Sequence, residues 1–371
     1  MIAAVCLIWW AVCVSVLIGS VVLALAQPAI RRRGMVATRP AVSVIVPVKD
    51  PEPDFRAGLA GVLRQTRPGD EVMITAAETD SAVLRLAREV LGAHPSVPAR
   101  IFTGAARVTV SPKLSGLIAP MAAARNDIIL IKDSNITLED GQLDALVRHL
   151  APGVGMVTVA TRADGARSFG ARVEAAVMNG YQARLVLAAS ALGAGFGLGK
   201  ISVFSRAAYA RTGGVMEIAD RVGEDNAMGK QFARLGLSTV IAGTVVRQVL
   251  GARGIGAVWQ RQLRWMICRR CDEVAAFAME PFFTASAAVL AAALAAPALG
   301  LASAWLAGGT ALGWFALENL FLALKRWPLV SPASWVTREV MIPAMWCAAW
   351  TTTEVVWAGQ RLDVRRGVAL P

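Results

Sequence analysis

The chain has 371 residues, a formal net charge of +12 and a hydrophobic content of 56%, with a mean hydropathy of +0.52. That composition excludes an ordinary soluble domain and points to an integral membrane protein with a sizeable water-facing part. Excess positive charge suits either nucleic acid or an anionic membrane surface. Arg31 to Arg33 follow directly on an apolar segment, Arg269 and Arg270 precede another, and Lys325 and Arg326 end it, so nucleic acid is set aside as a partner.

Residues 1–30 carry no charged side chain, and the run from Ile2 to Ala26 is long enough to cross a bilayer as a helix. "ALA" at 24–26 followed by Gln27 has the form of a signal-peptidase site. The segment nevertheless lacks a basic leading region, and three arginines follow it at once. It therefore reads as an uncleaved anchor, with the arginines in the cytoplasm and the N-terminus outside.

Residues 40–275 alternate strand and helix patterns. "VSVIVPV" (42–48), "EVMIT" (71–75), "RIFT" (100–103) and "DIILI" (127–131) read as strands. "FRAGLAGVLRQ" (55–65), "AVLRLAREVLG" (82–92) and "LSGLIAPMAAAR" (114–125) have helical spacing. Such order predicts an α/β domain with a largely parallel sheet, whose ligands sit at the carboxyl ends of the strands. Glu78 and Asp80 follow one strand, and Asp133 and Asn135 follow another. Glu224 and Asp225 open a helix further on. Singly, each has a structural explanation, because "DSN" is turn chemistry and "ED" complements a helix dipole. Their shared position at strand ends is what marks them as a candidate site, with Asp133 and Asn135 able to share a hard cation with a ligand. Lys113 stands near a helix start, where a cation is disfavoured unless an anion is present, and so suggests a phosphate ligand. "GAGFGLGK" (193–200) misses the phosphate-loop spacing, with Ala194 and Ile201 where Gly and Ser or Thr would stand. Its glycines read as a loop, or as close approach of the backbone to a substrate.

"VWQRQLRWMICRR" (258–270) concentrates Arg and Trp ahead of the most apolar part of the chain. On a helix, Arg261 and Trp265 share a face. Cys268 and Cys271 form a single C-x-x-C without further ligands, and only two histidines are present, so neither a zinc site nor a His-rich metal centre is expected. From 277 to 324 only Glu280 and Glu318 are charged. That length is roughly 70 Å of helix, enough for a two-helix hairpin turning near Gly300. Residues 335–371 supply a third membrane or interfacial segment, rich in Trp over 340–359 and ending in a basic tail.

The order of these features resembles the membrane-bound glycosyltransferases of the ceramide glucosyltransferase type, glycosyltransferase family 21, relatives of the inverting family 2. "ETD" (78–80), "KDSN" (132–135) and "GED" (223–225) fit three acidic motifs, and "RQLRW" (261–265) fits the (Q/R)-x-x-R-W pentapeptide. "SPKLSGLI" is similar to a P-K-x-x-N-L stretch, with Ser111 and Gly116 departing from it, "GLGKISVFSR" is similar to the family's segment before the third acid, and the tail from 335 to 367 resembles the family's ending, including W-x-G-x-R. The second motif ends in Asn135 rather than a second acid.

The resemblance implies a cytosolic GT-A domain over 40–275, between the anchor and the C-terminal membrane helices. It implies a UDP-sugar donor, a ceramide hydroxyl as acceptor, and inversion at the anomeric carbon in sphingolipid metabolism. It assigns Asp225 as general base, with Arg261, Arg264 and Trp265 as further catalytic residues. Glu78, Asp80, Lys113, Asp133 and Asn135 bind donor, and Asp133 holds a divalent cation, Mg2+ or Mn2+. A hopanoid acceptor, a processive polysaccharide synthase and a basic membrane scaffold without catalysis are the alternatives. The donor sugar is not readable from these residues. The Ala- and Arg-rich composition suggests a bacterial inner membrane with the catalytic domain facing the cytoplasm.

Overall fold

The computed structural model describes residues 2–357, 360–364 and 368–369. Gly359 of the W-x-G-x-R ending and Arg365 and Arg366 of the basic tail lie outside the described residues. The chain begins with α1 (Ile2–Arg32), β1 (Val42–Pro47), α2 (Phe55–Leu63), β2 (Glu71–Ala76) and α3 (Ala82–Gly92). Next come β3 (Ala99–Thr103), α4 (Pro112–Ala123), β4 (Ile128–Lys132), α5 (Gln142–Arg148) and β5 (Val154–Ala166). A helix follows that runs as α6 (Phe169–Ala176), a π-helical stretch (Val177–Ala183) and α7 (Arg184–Ala191). Then come β6 (Ile201–Ser205), α8 (Arg206–Ala210), α9 (Glu224–Arg234), β7 (Ser238–Gly251) and α10 (Ile255–Asp272). The C-terminal part holds α11 (Val274–Ala278), α12 (Ala285–Ala295), α13 (Ser303–Lys325) and α14 (Pro332–Thr351). The described residues end in the short strands β8 (Glu354–Trp357), β9 (Gln360–Asp363) and β10 (Val368–Ala369).

Contacts divide the chain into two compact units that interleave in sequence. One comprises residues 28–161, 193–249 and 357–371, and the other 1–27, 162–192 and 250–356. The first is the α/β unit. Among the described residues its sheet has seven strands in the order β3-β2-β1-β4-β6-β5-β7. Strands β3, β2, β1 and β4 are mutually parallel, as their hydrophobic runs predict. Strand β6 departs from that expectation. It pairs antiparallel to β4, with Lys132 opposite Ile201, and β5 pairs antiparallel to β6.

Alternation along β1 sorts the core. Val42, Val44 and Val46 pack on one face with Phe55, Leu59 and Val62 of α2 and Val83 and Leu84 of α3. Ile45 points to the other, with Leu114 and Leu117 of α4, Phe204 of β6 and Phe232 of α9. Both faces are buried, and each large aliphatic or aromatic side chain contributes about 1.5–3 kcal/mol relative to exposure.

The second unit is helical. α1 and α13 are long and apolar enough to cross a membrane. α12 with its 3-10 extension to Leu299 is apolar but shorter, and Gly300, at φ +68°, turns the chain back toward α13. Polar side chains tie these helices together within the unit. Trp10 Nε1 donates to Thr310 Oγ1 at 3.0 Å, and Gln27 Nε2 to Ser190 Oγ at 3.0 Å. Arg184 reaches Ser20 of α1. Glu318 of α13 accepts from Arg338 Nη2 at 2.7 Å and from Trp335 Nε1 at 2.9 Å, both on α14.

Candidate active site

The carboxyl ends of the parallel strands carry the cluster that the acidic motifs suggested. β4 ends at Lys132, and the chain turns there so that Asp133 projects beyond the sheet. α4 opens with Ser111 as N-cap, its hydroxyl accepting from Leu114 N at 3.3 Å, and Pro112 occupies the first turn. Lys113 therefore stands in a helix's first turn, where the dipole opposes a cation. Three carboxylates offset this. Its Nζ lies 3.1 Å from Asp133 Oδ1, 3.5 Å from Glu224 Oε1 and 3.5 Å from Asp225 Oδ1. Glu224 and Asp225 occupy the first turn of α9, whose N-cap Gly223 offers no side-chain hydrogen bond. They satisfy the helix dipole, as the structural explanation of "ED" holds, and they also face Lys113.

Electrostatics follow from this packing. Burial pushes Glu224 up to about 7, helped by the neighbouring charge of Asp225 and opposed by Lys113. Asp225 is likewise raised, by burial and then by Asp133, against the pull of Lys113 and Lys200. Asp133 moves the other way, because Lys113 and Lys200 outweigh its burial. Burial brings the fully enclosed Lys132 down to about 8, and its Nζ donates to Asp133 O at 3.2 Å. One carboxylate is thus shifted toward its ionised form and two are shifted toward protonation, a division suited to cation binding and proton transfer respectively.

The "GAGFGLGK" stretch lies against this cluster. A side chain at Gly195 would collide with the backbone of Thr239, and one at Gly197 with the backbone of Asp225. At Gly199 a Cβ would stand 2.8 Å from Asp225 Oδ2. These three alternate positions let the loop run flat against the start of α9 and β7. Its backbone approaches the protein's own acid motif. The stretch ends in Lys200, which the motif reading passed over. Lys200 Nζ lies 3.2 Å from Asp133 Oδ2 and 3.4 Å from Asn135 Oδ1. The signal that would have found it is topological, since an antiparallel β6 begins where β4 ends.

Glu78 and Asp80 lie in the segment after β2 and are exposed. Asp80 pairs with Arg85 of α3 at 3.0 Å, and no contact joins either acid to the Lys113 cluster among those described. The remaining expected residues belong to the helical unit. On α10, the Arg261 guanidinium lies 4.8 Å from the Trp265 ring centroid, as the four-residue spacing predicts. Arg261 Nε is also 3.4 Å from Glu174 Oε1. Glu174 is fully buried on α6 and accepts from Arg253 Nη1 at 2.9 Å and Gln262 Nε2 at 3.5 Å. It orients the pentapeptide, and only its place in the apolar run "VEAAVM" hinted at it. Arg264 is on the same helix, half-buried, and Cys268 and Cys271 lie a turn apart further along.

Oxygen donors are the kind a hard divalent cation takes, and in this structure those of Asp133 and Asn135 meet Lys113 and Lys200. Asp133, Asn135 and Asp225 offer carboxylate and amide oxygens. Among the described residues no group of three His, Cys, Asp or Glu side chains is placed to hold a metal unaided. Mg2+ is commonly held by one or two carboxylates together with substrate phosphates, and Asp133 fits that sharing.

The profile of glycosyl transferase family 21 matches residues 7–370, and the chain belongs to that family. It is 22% identical to ceramide glucosyltransferase 1 of Caenorhabditis elegans over 89% of its own length and 73% of that protein. Ceramide glucosyltransferase 3 of the same organism is 21% identical over 62% of this chain, which spans half of that relative. Among solved structures, a mannosyltransferase from Pyrobaculum calidifontis in complex with GDP-Man and Mn2+ matches with a TM-score of 0.53. It is 18% identical and covers 92% of this chain and 98% of its own. That likeness shows the GT-A fold, and membership of family 21 makes the protein a glycosyltransferase.

Proposed function

We propose that this protein moves a sugar from a UDP-sugar to the hydroxyl of ceramide, with inversion, at a membrane. The observation that carries the reading is the Lys113–Asp133–Glu224–Asp225 cluster at the carboxyl end of the sheet. Ceramide rests on the names of the relatives and on the apolar helices, which suit an acceptor that stays in the bilayer. The proposed organisation is an anchor over 1–30, a catalytic domain over 40–275, a hairpin over 277–324 and a further membrane or interfacial segment from 335, with the catalytic side in the cytoplasm.

An alcohol is a weak nucleophile near neutral pH, so a carboxylate must take its proton as the new bond forms. Asp225 is the proposed base. The acceptor oxygen attacks the anomeric carbon from the face opposite the leaving group, the bond to the diphosphate oxygen breaks, and the hydroxyl proton passes to Asp225. Lys113 meets the charge that develops on the departing diphosphate. A divalent cation at Asp133 and Asn135 would add further neutralisation of that charge. By the family pentapeptide, Arg261 and Arg264 are proposed to serve the diphosphate and Trp265 the sugar or acceptor. Glu78 and Asp80 are proposed to contact the nucleoside.

Membranes containing the wild-type chain or Asp225→Asn, supplied with ceramide, a divalent cation and a panel of UDP-sugars, test this by lipid mass analysis. A hexosyl- or hexuronosyl-ceramide formed by wild type and absent with Asp225→Asn is the expected result. Glycosylation of a hopanoid but not of ceramide would overturn the acceptor and keep the mechanism. Unchanged product with Asp225→Asn would overturn the base.

A further inference from the structure

Lys200 is the one cation of the cluster that the acid, lysine and pentapeptide motifs leave without a role. Its position is built rather than incidental. β6 runs antiparallel to β4, so the residue before β6 falls beside the end of β4, and Asp133 N donates to Lys200 O at 3.0 Å. Gly195 and Gly197 hold the preceding loop against the backbone of Thr239 and Asp225, where no side chain would fit, and Gly199 lies against the Asp225 carboxylate. The ammonium group thus arrives at a fixed place beside the Asp133 carboxylate oxygen that Lys113 does not meet. Lys113 takes Oδ1 at 3.1 Å and Lys200 takes Oδ2 at 3.2 Å.

Charge then decides what the arrangement is for. Asp133, Glu224 and Asp225 set three carboxylates around the ammonium groups of Lys113 and Lys200, with the enclosed Lys132 held at the Asp133 carbonyl. A nucleoside diphosphate is itself an anion, and such a site repels it unless cations face the phosphates. Removing Lys200 would leave Lys113 as the one partly exposed ammonium group on the Asp133 carboxylate. The side chain of Lys200 is 15% exposed, comparable to the 16% of Lys113, so both reach the solvent-facing side of the cluster.

We propose that Lys200 is a second diphosphate-binding residue, sharing the Asp133 carboxylate with Lys113, so that two fixed ammonium groups receive the leaving nucleoside diphosphate. The inference rests on the reading of the Asp133 cluster as the donor site. The opposing possibility is that Lys200 only neutralises Asp133, in which case it competes with a divalent cation for that carboxylate.

The test is binding rather than turnover. The full chain, purified in detergent, is titrated with UDP and with GDP, in Mn2+ and in EDTA, by calorimetry. Lys200→Gln should weaken the affinity roughly tenfold or more, since a hydrogen bond to a charged group is lost. It should also raise the Mn2+ concentration needed for UDP binding. Lys200→Arg should restore most of the affinity, and Lys200→Met, which keeps the aliphatic stem, provides a second neutral variant. Melting midpoints near wild type establish that the variants fold. Unchanged UDP affinity, or a lower Mn2+ requirement in Lys200→Gln, overturns the inference and leaves the donor site standing. Wild-type protein that binds neither nucleotide overturns the donor-site reading, and the role of Lys200 with it.

Discussion

Gly199 shows how tightly a single residue constrains the proposed chemistry. A methyl group there would stand 2.8 Å from Asp225 Oδ2, so Gly199→Ala must push that carboxylate aside. Displacing a reacting group by about 1 Å can cost roughly a hundredfold in rate. Turnover should fall by about that factor in Gly199→Ala, with the Kd for UDP changed far less. Steady-state rates alongside UDP titration would check this, and unaltered turnover would sink it. Glu224 gives a prediction of opposite sign for stability. Burial raises its pKa in the folded chain to about 7, above the ordinary carboxylate range, so the fold favours the protonated form. That contribution is complete below the unfolded value and disappears as pH rises through the folded one. Glu224→Gln, permanently neutral, should therefore melt higher than wild type at pH 8 and converge with it below pH ~4.5. Melting curves across that range decide the matter.

At the scale of elements, two arrangements separate what could be read in the sequence from what could not. β1 to β4 announce themselves because strands buried on both faces leave uninterrupted apolar runs, and Asp133 follows from the end of such a run. Lys113 was legible through its conflict with a helix dipole, and Arg261 with Trp265 through helical spacing. The direction of β6 leaves no such trace, because "ISVFS" looks the same run either way. Lys200 was missed for that reason, and Glu174 because nothing local says that a carboxylate in an apolar helix has three partners. Helices α13 and α14 raise a separate question of energy. Glu318 and Arg338 are both buried and joined at 2.7 Å, and Arg338 also donates to Ala176 O at 3.2 Å. Arg338 pairs as well with buried Glu339. Leaving a buried charge without its partner typically costs ~3–5 kcal/mol. Arg338→Met takes the guanidinium from both Glu318 and Glu339, whereas Glu318→Leu leaves Arg338 its second carboxylate. Arg338→Met should therefore destabilise more than Glu318→Leu, and unfolding of the wild type and both variants in detergent measures the difference.

For the whole molecule, family membership and two helices long enough to span a bilayer make a concrete claim about extraction. The chain should stay with membranes through an alkaline carbonate wash and leave only in detergent. Release by carbonate would mean that α1 and α13 lie elsewhere. The interleaving of the two units carries a further consequence, for how the protein is made. α1 leaves the ribosome first, yet Gln27 waits 163 residues for Ser190, and Trp10 waits 300 for Thr310. The hydrogen bonds that tie α1 to α7 and α13 therefore form only late in synthesis, and the first helix settles among its neighbours after most of the chain has been made.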